Sequence, residues 1–386
     1  MIAVLFETFV PLLSLFFFLL GAGFFSTLLA LNMTLNHASP VEIGAMTGIY
    51  YAGLVVGSFR VERFITRVGH VNAYAVFASA LAVIYLLHGI FYNVSFWLAL
   101  RFIGGLTVAG LFVVIESWLL CKSTRVNRGQ VLSLYMISFY AAQSLGHFFL
   151  NLGDTQSLLL YVIASMMCSI SIIPLSLSYV RSPQFNEPST LSFQALARIS
   201  PSGLVGCLLS GLIMGGLYGF MPTYLNDFFH DKADVAKYMF AIIFGGMLLQ
   251  YPVGKLSDVI ERGMVLILLT VGTITVSILL LMGYHHPWLI FSLMVFFGGL
   301  TFTIYPISIS YACDELHERD IVAGTQSLLL AYSLGAMVGP FMASYYMHAL
   351  SSRGLFMYFS SICGIALPLF AVWRAQKINR ARAELV

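Results

Sequence analysis

Long apolar runs alternate with short polar breaks along the whole chain. A run of about 20 apolar residues is long enough to cross a bilayer as an α-helix. Such runs recur about twelve times, which predicts twelve transmembrane helices and therefore an all-α polytopic membrane protein. The predicted spans lie near residues 10–33, 41–60, 71–92, 95–119, 130–151, 156–180, 203–226, 235–255, 264–284, 287–311, 321–347 and 354–374.

The longest polar stretch divides the predicted helices into two sets of six. Residues 181–202 are rich in Ser, Pro and Gln, a composition typical of a connecting segment. We therefore expect four parts in chain order: an N-terminal six-helix bundle over residues 1–180, a cytoplasmic connector over 181–202, a C-terminal six-helix bundle over 203–374 and a basic cytoplasmic tail over 375–386.

The composition indicates that most of the chain lies within the lipid bilayer. Residues of the class AVILMFWYC make up 59% of the chain and DEKR only 9%, whereas a typical soluble domain carries about 25% charged residues. No large soluble domain is therefore expected. The five cysteines have no paired spacing, so we predict no disulfide, no metal site and no cofactor.

The basic residues set the predicted orientation in the membrane. Of the 19 Lys and Arg residues, 15 fall on one side, Lys232, Lys237 and Arg353 fall on the other, and Arg101 lies within a span. The positive-inside rule then places both termini in the cytoplasm of a multi-pass protein of the cytoplasmic (inner) membrane. The net charge of +3 is loop charge, so the expected partner is the lipid bilayer and not a nucleic acid.

The two halves contain a weak internal repeat. Three loci of the first half recur in the second at offsets of 192 to 195 residues: Gly104-Gly105 with Gly298-Gly299, Arg128-Gly129 with Ala323-Gly324, and the loop around Thr66 with the loop around Asp258. An even number of spans gives both copies the same orientation, which predicts two bundles related by an axis along the membrane normal. Chance recurrence of glycine, which is common in membrane helices, is the alternative.

Arg101 is the first candidate for chemistry because it lies inside span four, roughly 7 Å from its outer end. A guanidinium stays charged there and needs a polar cavity or a partner. In the functional interpretation, Arg101 binds an anionic group or tunes a proton site beside the transport path. In the alternative, its side chain snorkels to the outer headgroups. Glu116 lies about 22 Å further along the same helix. We expect it to pair with Arg128 at the cytoplasmic mouth, with proton uptake as the alternative.

The segment Gly254 to Arg262 closes span eight with a glycine, then Asp258, then a basic residue. The glycine is expected to let helices approach closely, and the charged pair to form an interdomain latch that opens and closes. The counterpart after span two has Thr66 in place of the aspartate but keeps Arg67.

Polar and aromatic residues within the spans are further candidates for a cavity, although each alone is more often a packing residue. They are Ser26, Asn32, Gln143, His147, Tyr218, Tyr224, Asn226, Gln250, Tyr305 and Gln326. Small residues and one proline are expected to serve helix packing and bending: Gly104, Gly105, Gly211, Gly215, Gly219, Gly335, Gly339 and Pro340. The acidic residues Asp314, Glu315, Glu318 and Asp320 are expected to pair with the basic tail.

These motifs resemble the major facilitator superfamily. The superfamily's loop signature matches Gly254, Leu256, Asp258 and Arg262, and its span-four pattern matches Arg101 with Gly104-Gly105. Several segments are similar to the YcaD branch: Leu100-Arg101-Phe102, Val113 to Ser117, Asn127 to Gly129, Leu217 to Pro222 with Tyr224 to Asn226, Tyr305-Pro306, Gln326 to Leu330, and Gly339-Pro340. Three departures stand out: Thr66 replaces an aspartate, span five reads Leu145-Gly146-His147 without the glycine-proline motif, and span one lacks a buried acid.

The resemblance implies a carrier whose cavity is lined by spans one, four, seven and ten and which works by alternating access. We therefore expect a monomeric secondary transporter, not an enzyme, that moves a small organic solute with proton coupling. The aromatic-rich spans hint at an amphipathic solute. The alternative is a polytopic membrane enzyme acting on a lipid-soluble substrate, and a channel is a third class. No clustered catalytic groups or filter motif appear within the spans.

Overall fold

The computed structural model describes residues 2–122, 128–177, 193–282, 286–316 and 321–383, which are helical almost throughout and form no strand. The helices are α1 (Ile2–Leu35), α2 (Pro40–Val68), α3 (His70–Ile90), α4 (Val94–Lys122), α5 (Arg128–Gly146), α6 (Leu158–Ile170), α7 (Ile172–Ser176), α8 (Phe193–Ile199), α9 (Pro201–Phe229), α10 (Lys232–Val259), α11 (Arg262–Leu281), α12 (Pro287–Glu315), α13 (Ile321–Leu350) and α14 (Gly354–Ala383). The predicted all-α fold class is confirmed.

Each predicted span coincides with one of these helices or with a broken pair. Span five consists of α5 and a 3-10 helix over His147–Leu152, and span six consists of α6 and α7. By length and apolarity, the described residues hold ten candidate membrane-spanning segments, of which Gly324–Lys377 takes in both α13 and α14. α5 is not among the ten.

Local sequence explains where α2 begins and ends. Ser39 caps its first turn: the Glu42 backbone N–H donates to Ser39 Oγ at 3.3 Å and the Ser39 backbone N–H donates to Glu42 Oε2 at 2.8 Å. Pro40 occupies the first helical position, where its missing N–H costs nothing. Gly69 ends the helix with φ of 84°, a conformation that favours glycine, and α3 starts directly after it.

The chain forms two compact units whose limits differ from the predicted bundles. The first comprises Met1–Phe185 and Met221–Phe240, and the second comprises Asn186–Phe220 and Ala241–Val386. Within the first unit, Thr34 Oγ1 lies 3.0 Å from Thr223 Oγ1, and the Lys232 ammonium donates to the Gly153 carbonyl. The end of α9 and the start of α10 are thus held against α1 and the segment before α6. The predicted domain boundaries stay a prediction.

Glycines bring α2 and α4 into backbone contact in the first unit. A Cβ at Gly53 would lie 2.0 Å from the Phe102 carbonyl oxygen, and one at Gly105 would lie 2.0 Å from that of Tyr50. The second unit repeats this contact between α10 and α12 at the same register. A Cβ at Gly245 would lie 1.9 Å from the Val295 carbonyl oxygen, and one at Gly298 would lie 1.8 Å from that of Ile242.

A second helix pair repeats at the same offset. In α1 and α5, Gly23 faces Gln143 and Gly146 faces the Leu20 carbonyl; in α9 and α13, Gly215 faces Ala336 and Gly339 faces the Leu212 carbonyl. Each residue of the first helix pair and its counterpart in the second differ by 192 or 193 positions in the sequence. Two independent contacts with one register support duplication of a six-helix unit.

The contacts correct the predicted alignment of the span-four glycines. Gly105, not Gly104, corresponds to Gly298, because both approach a neighbouring backbone. A Cβ at Gly104 would meet only the side chains of Ile84 and Leu81, at 3.8 and 3.9 Å. The stripes on α9 and α13 do pack closely: a Cβ at Gly211 would lie 1.9 Å from the Tyr332 oxygen and one at Gly335 would lie 2.3 Å from the Leu208 oxygen. Gly219 is buried, and Pro340 lies within α13.

We predict that Gly105→Ala lowers the stability of the protein by about 1–3 kcal/mol, because the new methyl group forces α2 and α4 apart. Gly104→Ala is the matched control, since its methyl group has ordinary van der Waals room. Thermal unfolding in detergent, followed by the loss of monodisperse protein, measures the difference. Equal unfolding temperatures for the two variants would contradict the role given to Gly105.

Candidate functional site

Arg101 lies inside the first unit, between α1, α2 and α4. Its side chain is 5% exposed. Nε donates to the Met46 carbonyl oxygen at 3.3 Å, Nη2 donates to Ser26 Oγ at 3.1 Å, and the guanidinium lies 4.3 Å from the centre of the Tyr50 ring. The side chain therefore points into the helix bundle and is fixed there by a hydroxyl, a backbone carbonyl and an aromatic face. It does not snorkel outward.

The positive charge of Arg101 has no carboxylate within ion-pair distance among the described residues. The ion pairs among the described residues lie elsewhere: one joins Lys237 to Asp234 within α10, and the others lie where α10, α11, α12 and α14 meet. Neutral partners solvate a buried cation only in part, and a missing counter-ion is costly in low dielectric. The site is therefore electrostatically suited to an anion.

The second unit has no equivalent charge. At the repeat offset of 192 to 193 residues, Met294 is the residue equivalent to Arg101. By the same offset, Tyr218 is equivalent to Ser26 and Ile242 to Tyr50. Met294 is 1% exposed and apolar. Duplication thus supplied two similar scaffolds, and the polar centre is built on only one of them.

Glu116 is exposed on α4, in contrast to its buried neighbours Val114 and Ile115. The Tyr135 hydroxyl of α5 donates to Glu116 Oε1 at 2.7 Å. The side chain of Arg128 lies outside the described residues, so the expected pair between Glu116 and Arg128 stays a prediction. Tyr135 is the partner that sequence reasoning missed.

His147 is fully buried, and both of its ring nitrogens have partners. Nδ1 lies 2.8 Å from the Gln143 carbonyl oxygen, which can only accept, so Nδ1 carries the hydrogen. Nε2 lies 3.1 Å from Thr27 Oγ1, which then donates to it. In the second repeat Pro340 occupies the corresponding position. The histidine joins α1 to the end of α5, where the helix changes to 3-10.

Most of the other candidates occupy packing positions. Asn32 is buried and donates to the Thr155 carbonyl oxygen at 3.1 Å, and Asn36 donates to Asn32 Oδ1 at 2.8 Å. Ring contacts hold the three tyrosines: Tyr218 with Phe302 at 6.4 Å, Tyr224 with Phe228 at 6.2 Å and Tyr305 with Tyr332 at 4.8 Å between centroids. Gln143 and Asn226 are half-buried, and Gln326 is exposed.

The loop signature lines a small pocket in the second unit, at the predicted cytoplasmic end of α10. The pocket has a volume of about 230 Å³ and is lined by Gln250, Gly254, Ser257, Asp258, Arg262, Thr303, Pro306, Ile307 and Ser310. A Cβ at Gly254 would meet none of the described atoms within 4 Å. Among the described residues Gly254 therefore opens onto the pocket, and its expected helix contact stays a prediction.

Arg262 is held mainly by α12. Nη1 lies 2.5 Å from Asp314 Oδ1 and donates to the Ser310 carbonyl oxygen at 2.8 Å, whereas Nη2 lies 3.7 Å from Asp258 Oδ1. Asp314, expected to pair with the basic tail, contacts Arg262 instead among the described residues, and the side chains of Arg380 and Arg382 lie outside them. All these partners belong to the second unit. Arg67, the basic residue of the first copy, is exposed at the end of α2.

The acidic end of α12 also meets the C-terminal helix. Lys377 Nζ lies 2.7 Å from Glu315 Oε1, which confirms the expected contact with the tail for that residue. Arg374 Nε lies 2.7 Å from Glu261 Oε2. Glu318 and Asp320 lie outside the described residues. Partly exposed pairs of this kind contribute about 0–1 kcal/mol each, so they orient the helix ends more than they stabilise the fold.

His88 is a buried polar residue that sequence reasoning missed. It lies on α3, 1% exposed, against the rings of Phe25 and Trp97. Nδ1 lies 2.8 Å from the Ile84 carbonyl oxygen, and Nε2 has no hydrogen-bond partner among the described residues. The sequence signal for this cluster was the four-residue spacing of Trp97 and Arg101, which puts both side chains on one face of α4.

Comparisons with known proteins agree with this fold. The Major Facilitator Superfamily profile matches residues 12–331. Over 354 residues the chain is 30% identical to the uncharacterized MFS-type transporter YcaD of Escherichia coli, covering 90% of this chain and 91% of that protein. The protein of the same name from Shigella flexneri matches equally well.

Two solved structures show the same architecture. The nucleoside transporter NupG superposes with a TM-score of 0.76 at 16% identity, covering 96% of this chain and 98% of that one. The D-xylose-proton symporter superposes with a TM-score of 0.71 at 15% identity, covering 95% and 97%. Identities this low establish the fold alone. The profile and the YcaD relatives confirm the resemblance predicted from the sequence motifs: this multi-pass helical membrane protein belongs to the Major Facilitator Superfamily of transporters.

Proposed function

We propose that the protein is a secondary active transporter that moves a small organic solute across the cytoplasmic membrane by alternating access, coupled to protons. The solute carries an anionic group and an apolar part. Both termini lie in the cytoplasm, as the distribution of basic residues favours. Membership in a transporter family weighs against the alternative of a membrane enzyme.

The buried charge of Arg101 is the observation that carries this proposal. A cation that is 5% exposed and has only neutral described partners is stabilised most by an anion that comes and goes. Aromatic neighbours such as Tyr50 supply the apolar surface that an amphipathic solute needs. Ser26 and the Met46 carbonyl fix the guanidinium in one orientation before the solute arrives.

Alternating access requires contacts that form and break. On the predicted outer side, Thr34 faces Thr223 at 3.0 Å and Lys232 donates to the Gly153 carbonyl. We infer that these contacts open when the solute binds or leaves from outside. On the cytoplasmic side, Asp258 is 70% exposed and lies 3.7 Å from Arg262, so its carboxylate is free for a second partner in another state. We therefore keep Asp258 as the residue of a cytoplasmic latch.

The function is tested by profiling metabolites inside and outside cells that lack or overproduce the protein. Overproduction is expected to shift a solute with an anionic group, outward for an exporter and inward for an importer. Arg101→Ala should abolish the shift because the anion loses the buried counter-charge that Arg101 provides, while the protein remains in the membrane.

Met294→Leu is the matched control for the metabolite experiment, since it alters the equivalent position of the second repeat with little change in volume. It should keep the wild-type shift. Wild-type transport by Arg101→Ala would contradict the site, and the absence of any shifted solute across several media would favour the enzyme alternative.

We predict that Thr34→Cys combined with Thr223→Cys forms a disulfide on oxidation and stops transport, because the crosslink keeps the outer contact closed. The two hydroxyl oxygens lie 3.0 Å apart, so cysteine sulfurs in their place start close together and need only a small shift to bond. Each single cysteine variant is a control and should be unaffected by oxidant. Full activity of the crosslinked protein would show that the contact does not open during transport.

Asp258→Asn is expected to change the balance between inward-open and outward-open states with little loss of stability, since exposed pairs contribute about 0–1 kcal/mol. The reactivity of a single cysteine at Tyr305, in a chain without native cysteines, reports that balance. Asp314→Asn removes another carboxylate from the same arginine and should leave reactivity near wild type. Equal reactivity of Asp258→Asn and wild type would count against the latch.

A further inference from the structure

The guanidinium of Arg101 has hydrogens that the described residues leave unused. A guanidinium carries five N–H donors in one plane, one on Nε and two on each of the Nη nitrogens. The Met46 carbonyl oxygen accepts the hydrogen of Nε at 3.3 Å, and Ser26 Oγ accepts one hydrogen of Nη2 at 3.1 Å. Both hydrogens of Nη1 and the second hydrogen of Nη2 are left over. These two nitrogens form the end of the side chain.

The end of the Arg101 side chain is not sealed by the protein. Nη1 has no hydrogen-bond partner among the described residues, yet the fully buried polar atoms that lack a partner there do not include it. Nη1 therefore holds part of the 5% of Arg101 that is exposed. A carboxylate has two oxygens in one plane, spaced to accept one hydrogen from each of two guanidinium nitrogens. The unused end of the side chain thus matches a carboxylate.

Tyr50 limits the shape of the anion that fits. The guanidinium carbon lies 4.3 Å from the centre of the Tyr50 ring, over its face, as in the stacked contact that arginine makes with aromatic rings. The face of an aromatic ring carries negative partial charge and repels an anionic oxygen. A planar carboxylate lies in the plane of the guanidinium and avoids the ring. A tetrahedral sulfonate or phosphate has oxygens out of that plane, one side of which the ring occupies.

The site offers a single positive charge. Of the 19 Lys and Arg residues, Arg101 is the one that lies within a predicted span. No carboxylate among the described residues lies within ion-pair distance of it. One negative charge therefore neutralises the site. A dicarboxylate or a phosphate monoester would bring a second negative charge without a partner into a region of low dielectric, which is costly.

We propose that the solute is a monocarboxylate that binds Nη1 and Nη2 of Arg101 through both carboxylate oxygens, and that dianions and tetrahedral anions are rejected here. Ser26 and the Met46 carbonyl are positioning groups, since they fix the plane of the guanidinium. No bond of the solute is made or broken. This inference rests on the proposed transport function and names the chemical class of the solute.

The test uses butane-2,3-dione, because its two carbonyl groups close a ring across Nη1 and Nη2 of an arginine. The purified protein is treated with the reagent, and mass spectrometry of its peptides follows the modification of Arg101. Arg67, which is exposed at the end of α2, is the reference arginine in the same sample. Each added anion is compared with chloride at equal ionic strength.

Acetate is the probe, because it has almost no apolar part whose misfit could hide binding. A Kd on the order of 1–10 mM is expected for so small a ligand. Acetate at about 50 mM should therefore slow the modification of Arg101, relative to Arg67, about fivefold or more. Methanesulfonate, a tetrahedral monoanion of similar size, and malonate, a dianion, should each slow it less than about twofold.

Arg101→Lys separates the paired donors from the charge. Lysine keeps the positive charge but has no pair of coplanar donors. Acetate should raise the unfolding temperature of the wild-type protein more than methanesulfonate does, and the two anions should act equally on Arg101→Lys. If Arg101→Lys does not fold, the protection of the wild-type arginine decides alone.

Three results overturn the proposal: Arg101 that stays unmodified while Arg67 reacts, equal protection by the three anions, or an unchanged preference for acetate in Arg101→Lys. No transport is measured, so each of them leaves the transport proposal standing. A shifted metabolite with two negative charges would support transport and overturn the monocarboxylate. Failure to find any shifted metabolite leaves the protection of Arg101 readable.

Discussion

Close contact between helix backbones is the constraint on which the rest of the structure depends. In lipid, apolar side chains gain little by moving from one apolar environment to another, so helices associate where small residues let their backbones approach. Gly53 and Gly105 provide this contact between α2 and α4, and Gly245 and Gly298 provide it between α10 and α12. Because these positions fix the register of each pair, they also fix which side chains face each other further along the helices.

The two repeats share this packing and differ in the chemistry they hold. In the first, the α2 and α4 register brings Arg101 to the Met46 carbonyl and the Tyr50 ring. In the second, the corresponding positions are Met294 and Ile242, which are both apolar and buried. A duplicated scaffold can keep one copy as apolar support while the other acquires buried charge, because the backbone contacts do not depend on which side chains fill the space between them.

Fold and site were predictable from the sequence to different degrees. The helices follow from apolar runs, and their ends follow from signals such as Ser39 with Glu42, which act locally. The alignment of Gly104 with Gly298 failed by one residue, since sequence offsets do not show which glycine touches a backbone. His88 was overlooked because the cost of an unpaired ring nitrogen depends on neighbours from α1 and α4, distant in sequence.

The arrangement around Arg101 has a consequence for how the chain enters the membrane during synthesis. A guanidinium in a helix that meets lipid alone costs at least about 2.5 kcal/mol to insert. The groups that solvate it, Ser26 on α1 and the Met46 carbonyl on α2, are made before α4 emerges from the ribosome. The polar partners of the arginine are thus already synthesised when the arginine arrives. The corresponding helix of the second repeat has Met294 at that position, so its insertion does not depend on polar groups of earlier segments.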